Sequence, residues 1–231
     1  MATIRKEEPR IEPSNLAFLN KLKKNNNREW FNGHKEVYLQ ELAQMERFAD
    51  ALLEKLNTHD LIETLSGKKS LYRIYRDTRF SGDKTPYKTW WSGHFTRATQ
   101  YRRGGYHFHI EAGNTRIAGG FWSPASEDLK RVRDDIAFDA SPMQKIIKSR
   151  SFVSMFGSLK GEQLKTVPRG YDAGNEAIDL LRYKQFLLIR QFSDAEVLDK
   201  SFLAAADATF KAMRPFFDYM SEVLVSDSNG V

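Results

Sequence analysis

The period of the apolar residues changes twice along this chain, and that change limits the folds open to it. Near the N-terminus Trp30, His34, Val37, Tyr38, Met45, Phe48, Ala49, Leu52, Leu53 and Leu56 recur at helical spacing over about 28 residues. The pattern predicts one long helix ending near Asn57, with Gly33 in its second turn at a cost of about 1 kcal/mol. A shorter helix precedes it in NLAFLNKLKK, with Ser14 as a candidate cap, and the NNN run at 25–27 separates the two. Between Ser70 and Trp122 the period drops to two. SLYRIYR, TWWSGHFTRA, GGYHFHIEA and NTRIAGGFW read as strands over 71–76, 90–97, 105–112 and 115–121. The Gly-rich connections are too short for helical crossovers, so these strands return against one another in an antiparallel meander.

Helical signals then resume. SPASEDLKRVRDDIAFD carries Ser123 or Ser126 as cap and acids Glu127 and Asp128 in its first turn. SPMQKIIKSR and EAIDLLRYK are shorter helices, and QFLLIRQF is a further strand candidate. A long helix over about 198–224 closes the chain, with Pro215 expected to kink or split it. The expectation is a single α+β domain over 1–231, a central antiparallel sheet flanked by N-terminal and C-terminal helices, with 1–12 as a flexible tail.

Charge is concentrated rather than spread. The net charge is +6, yet Lys68–Arg103 alone holds ten Lys or Arg against Asp77 and Asp83, a local balance of +8, together with eight aromatic residues. A segment of this kind points to an anionic small molecule or nucleic acid as partner. There is no cysteine, hence no disulfide and no thiolate chemistry. No apolar run reaches the roughly 18 residues of a membrane span, and the N-terminus has no signal-peptide core. Those features predict no membrane partner and a cytoplasmic location. No Walker loop, GxGxxG, GxSxG or HExxH is present, and no motif fixes a cofactor or an oligomeric state.

Three constellations carry candidate chemistry. The first is RIYRDTRFSGDKTPYKT, 73–89. Arg73, Arg76, Arg79, Lys84 and Lys88 supply cations, Tyr87 a ring, and Asp77 and Asp83 the carboxylates. Guanidinium forks and ammonium groups around Ser81, Gly82 and Thr85 suit one wall of an anion-binding cleft. The opposing reading is an internal network, Arg76–Asp77–Arg79–Asp83, that pins the loop. The second constellation is HFHIE, where His107, His109 and Glu111 share one face of a strand. It suits a hydrogen-bonded structural histidine, or His109 as a base or anion ligand; a metal site is not expected. The third is PRGYD, where Arg169, Tyr171 and Asp172 follow Pro168 and would face the cleft from the opposite side. If the cleft is catalytic, a hydrolase or transferase on a phosphorylated ligand is the expected class, with His109 or Asp77 as acid/base. The competing readings are a non-catalytic nucleic-acid-binding protein and a structural or regulatory module with internally paired charges.

LKKNNNREWFNGHKEVY, YRDTRFSGDKTPYKT, GGYHFHI, GGFWSP and FGSLKGEQLKTVPRGYD together resemble domain-of-unknown-function family 2461, over nearly the whole chain. The resemblance implies one α+β domain of about this length and brings no established activity. His109 matches the histidine of the family pattern, whereas His107 stands where an aromatic is usual.

Overall fold

The computed structural model describes residues 8–98 and 101–226. Helix α1 (Pro13–Lys24) is followed by α2 (Arg28–Gly33), α3 (Lys35–Leu56) and a single turn, α4 (Gly67–Ser70). Four strands, β1 (Trp91–Thr96), β2 (Gly105–Ile110), β3 (Thr115–Phe121) and β4 (Phe186–Phe192), form one antiparallel sheet in the order β1-β2-β3-β4. Between β3 and β4 lie α5 (Ser126–Phe138), α6 (Ser141–Ile147), α7 (Arg150–Phe156) and α8 (Ile178–Leu181). The chain closes with α9 (Asp194–Leu198) and α10 (Phe202–Val225). The class is the expected one, α+β with helices flanking an antiparallel sheet at both ends of the chain.

Several elements depart from the sequence reading. Residues 71–76 form no strand. Leu71 makes an isolated bridge to Gly93 and Tyr75 one to Tyr87, so the alternating pattern reflects a segment laid beside the sheet edge rather than a rung of it. The fourth strand is QFLLIRQF instead. The predicted long N-terminal helix is broken at His34, which ends α2 and precedes α3; its Nδ1 bonds the Trp30 carbonyl at 2.8 Å and its ring stacks on Trp30. Glu12, not Ser14, occupies the cap position of α1, and Ser14 Oγ donates to the buried Glu41 at 3.0 Å. Neither Ser123 nor Ser126 caps α5, whose cap position is Ala125. Helix α10 runs through Pro215 as one element, anchored on both sides by Phe210, Met213, Phe216, Phe217 and Met220, none more than 1% exposed. The predicted tail is only partly testable. Residues 1–7 lie outside the described set, but Ile11 is 1% exposed and belongs to the core.

Contacts divide the chain into two compact units. The first holds residues up to 95, 107–117 and 191–208. Its core packs Phe48 against Phe108 and Phe202, with Phe192 edge-on to Phe202. A second aromatic group, Phe18, Phe31, Tyr38, Tyr87 and Trp91, ties α1, α2 and α3 to the segment before β1. The second unit holds 96–106, 118–190 and the residues from 209. There Tyr106 meets Phe210 and Phe217, and Phe121 packs on Phe216 and Phe217. Gly120 sits at φ +134°, and a Cβ there would collide with the Phe186 carbonyl, so only glycine lets β3 and β4 approach at this point.

Candidate functional site

The NNN run builds the base of the first constellation. Asn27 accepts from Trp30 N–H at 2.9 Å and caps α2, a position where Asn satisfies an otherwise orphaned donor. Asn26 holds Tyr87 from both sides. Its Nδ2 donates to the Tyr87 carbonyl at 2.9 Å and its Oδ1 accepts the Tyr87 N–H at 3.1 Å. Tyr87 stacks on Phe31 with centroids 4.0 Å apart and is 4% exposed, so its ring belongs to the core rather than to a ligand surface. The basic loop is thereby fixed at its C-terminal end.

Inside the loop the carboxylates are spent locally. Arg79 holds Asp77 with both Nε (3.0 Å) and Nη2 (2.6 Å), the fork geometry that favours Arg over Lys. This pairing keeps the Asp77 carboxyl below its ordinary range, which makes it a weak base. Arg76 reaches Asp83 and Thr85, and Asp83 accepts the Thr85 N–H at 2.9 Å. The Thr85 amide and the Arg76 guanidinium lower the Asp83 pKa to about 2. Lys84 donates to the Thr78 carbonyl at 2.9 Å. Arg76, Arg79, Asp77, Asp83 and Lys84 thus make their bonds within the loop. Further along the basic window, Arg97 is buried on Asp218 (2.8 Å) and Arg103 pairs with Asp128, both within the second unit.

Lys88 is different. Its Nζ donates to the Arg73 carbonyl at 2.7 Å and lies 5.4 Å from the Tyr72 ring centre. Burial, then the Arg73 charge, pushes its pKa down. No carboxylate pairs with Lys88 or Arg73 among the described residues. Tyr72 in turn meets His107 across 6.0 Å, and Trp90 stacks on His109 at 5.4 Å. Lys88, Tyr72 and Trp90 are therefore on the side of the sheet from which His107 and His109 project. Phe108 and Ile110, which alternate with them, are fully buried on the other.

The histidines on this side are uncharged at neutral pH. Burial, aided by the charges of His109, His94 and Arg116, drives His107 down to about 4. His109 is 5% exposed, and its Nε2 lies 3.0 Å from Glu111 Oε2. Burial lowers its pKa more than the Glu111 bond raises it. Burial alone would raise the Glu111 carboxyl, but hydrogen bonds from His109 and Asn114 (2.8 Å) outweigh it. Among the described residues Arg116 hydrogen-bonds the Asn114 side chain alone, at 3.3 Å. Among the described residues no group of three His, Asp or Glu is arranged to hold a metal ion.

The third constellation belongs to the second unit. Tyr171 Oη donates to Asp134 at 2.9 Å, Asp172 accepts the Gly174 N–H at 2.9 Å in a turn, and Arg169 is exposed. Sequence reasoning missed Tyr72, Trp90, His94 and Arg116. Their signal was strand parity, which gathers residues onto one face only when the pairing of strands is known.

Helices around an antiparallel sheet, with a histidine-bearing face on one side, place this protein in the α+β class. The sequence matches the family described as conserved hypothetical protein (DUF2461) over residues 14–219, and the chain belongs to that family. No curated protein and no solved structure matches it. No helix among the described residues is long and apolar enough to cross a membrane.

Proposed function

We propose that this protein binds a phosphate-bearing or other anionic ligand on the histidine-bearing side of the sheet in the first unit. Lys88 carries the reading. It is a part-buried cation with no carboxylate partner among the described residues, and the charge that acts on it is another cation, Arg73. Two like charges held together without a counter-ion are costly unless an anion joins them. Tyr72 and neutral His107 supply a ring and a polar edge beside them, and Arg116 adds a third cation near His107. Arg76, Arg79, Asp77 and Asp83 act in this reading as the scaffold that holds the loop.

A second reading, single-stranded nucleic acid as that ligand, is favoured by the exposure of aromatic rings among the cations. Tyr72 is 50% exposed, Tyr75 55% and Phe80 96%, and such rings are stacking platforms for bases. Thermal-shift titrations with nucleotides, sugar phosphates and short oligonucleotides test both. A ligand that binds only the folded state raises its apparent stability by RT ln(1 + [L]/Kd). Binding that falls at least tenfold in Lys88→Ala supports the site. Equal binding by wild type and Lys88→Ala would remove it.

A further inference from the structure

The second unit contains a separate basic concavity. Ser126, Lys130, Arg133 and Asp134 lie along one stripe of α5, at the spacing that aligns side chains on a helix. The loop Pro168–Tyr171 closes over that stripe, with Gly170 in the left-handed region at φ +91° and the Tyr171 N–H bonded to the Pro168 carbonyl at 3.3 Å. Arg169, Gly170 and Tyr171 complete a concavity of about 240 Å³.

Its charge is unbalanced. Three cations, Lys130, Arg133 and Arg169, line it against one acid, Asp134. Both oxygens of that acid are taken, Oδ2 by Lys130 at 2.6 Å and Oδ1 by Tyr171 at 2.9 Å. Arg133 is oriented by two backbone carbonyls, Nε to Leu181 at 2.8 Å and Nη2 to Tyr183 at 3.0 Å. That anchoring fixes the plane of the guanidinium without neutralising it. Arg169 makes no hydrogen bond or ion pair among the described residues. The Tyr171 hydroxyl, raised to about 12 first by burial and then by Asp134, stays protonated and adds no charge.

We propose that this concavity is a second anion site, one that takes the phosphate group of a small phosphomonoester. The chemistry follows from the donors. Arg133 and Arg169 offer planar N–H forks that match phosphate oxygens in pairs, and Lys130 adds a point charge. The volume lies below the roughly 300 Å³ at which drug-sized pockets begin, so it suits a phosphate with a small substituent. The Pro-Arg-Gly turn sets where the Arg169 backbone stands, and its exposed side chain is ordered on binding at a cost in conformational entropy.

Calorimetric titration of inorganic phosphate and of phenyl phosphate, at constant ionic strength, tests the site in the full-length protein. Arg169→Ala removes an exposed side chain, and circular dichroism verifies that the variant is folded. In the Lys88→Ala background, which removes the first-unit site, affinity should fall at least tenfold when Arg169→Ala or Arg133→Gln is added. Absence of millimolar binding by wild type overturns the proposal. So does binding in the Lys88→Ala background that survives the addition of Arg169→Ala, or a loss of all binding on Lys88→Ala alone, which would assign it to the first unit.

Discussion

Asn26 reaches across 61 residues of sequence to hold the backbone of Tyr87 through two hydrogen bonds. Replacing it by Ala strands a part-buried donor and acceptor, at a cost of about 1–3 kcal/mol. Asn26→Ala should therefore lower the urea midpoint with little change in its slope, and an unchanged midpoint would show that water satisfies both groups equally well. His107 sets a second expectation. Its folded pKa, about 4, lies below its ordinary 6.5, so the unfolded chain binds the proton first as pH falls. Stability should be intact above about pH 6.5 and decline towards pH 4, by roughly 3 kcal/mol from this residue alone. His94 and His109 are lowered too and act in the same direction. Denaturant unfolding at several pH values checks it; in His107→Phe the decline should be visibly smaller. That His109 and Glu111, two residues apart, share one face was legible in the sequence. The Asn26 clamp was not, because nothing local relates the two positions.

Two glycines in regular elements should respond to the same substitution with opposite signs. Gly33 ends α2 with an ordinary backbone conformation and open space where a Cβ would stand. Gly33→Ala should stabilise the protein by about 0.4–1 kcal/mol, mainly by restricting the unfolded chain. Gly120→Ala combines a left-handed backbone with a collision on the Phe186 carbonyl and should cost about 3 kcal/mol or more. Thermal melts of the two variants separate these cases, and a stable Gly120→Ala would mean that β4 can shift away. Periodicity found β1, β2, β3 and β4 because each has its own alternating or continuous apolar run. It assigned a strand to 71–76 because a segment with only isolated bridges can still alternate. It missed the break at His34 because the apolar stripe continues through the joint. The seven residues of α7 were too few for a period to show.

Across the whole molecule, the sequence places ten cations in one window, and the fold divides them by use. Lys68, Arg76, Arg79, Arg97 and Arg103 pair with carboxylates, whereas Lys69 and, within the 73–89 segment, Arg73, Lys84 and Lys88 do not among the described residues. Four to six phosphate contacts would give single-stranded nucleic acid a salt slope of roughly −3 to −4, but the three unpaired cations of the 73–89 segment alone give only about −2. An oligonucleotide titrated across salt concentrations should show the shallower slope, with a further loss of about 0.7 in Lys88→Ala. A slope steeper than −3 would mean that the internal pairs open on binding. Charge concentration was thus legible in the sequence. Which charges are already answered within the chain was not, since Arg97 meets its acid 121 residues away.

Neither compact unit is an uninterrupted stretch of chain. The first needs residues 191–208 to join residues up to 95, and the second takes 96–106 together with everything from 209. During synthesis, the ribosome must therefore deliver more than 200 residues before the first unit can be completed. The N-terminal helices emerge early, and α3 must wait with the face of Phe48 that meets Phe202 bare to water. A nascent chain stalled before β4 should remain sensitive to protease throughout its first 95 residues and a favoured client of chaperones that recognise exposed aromatic surface.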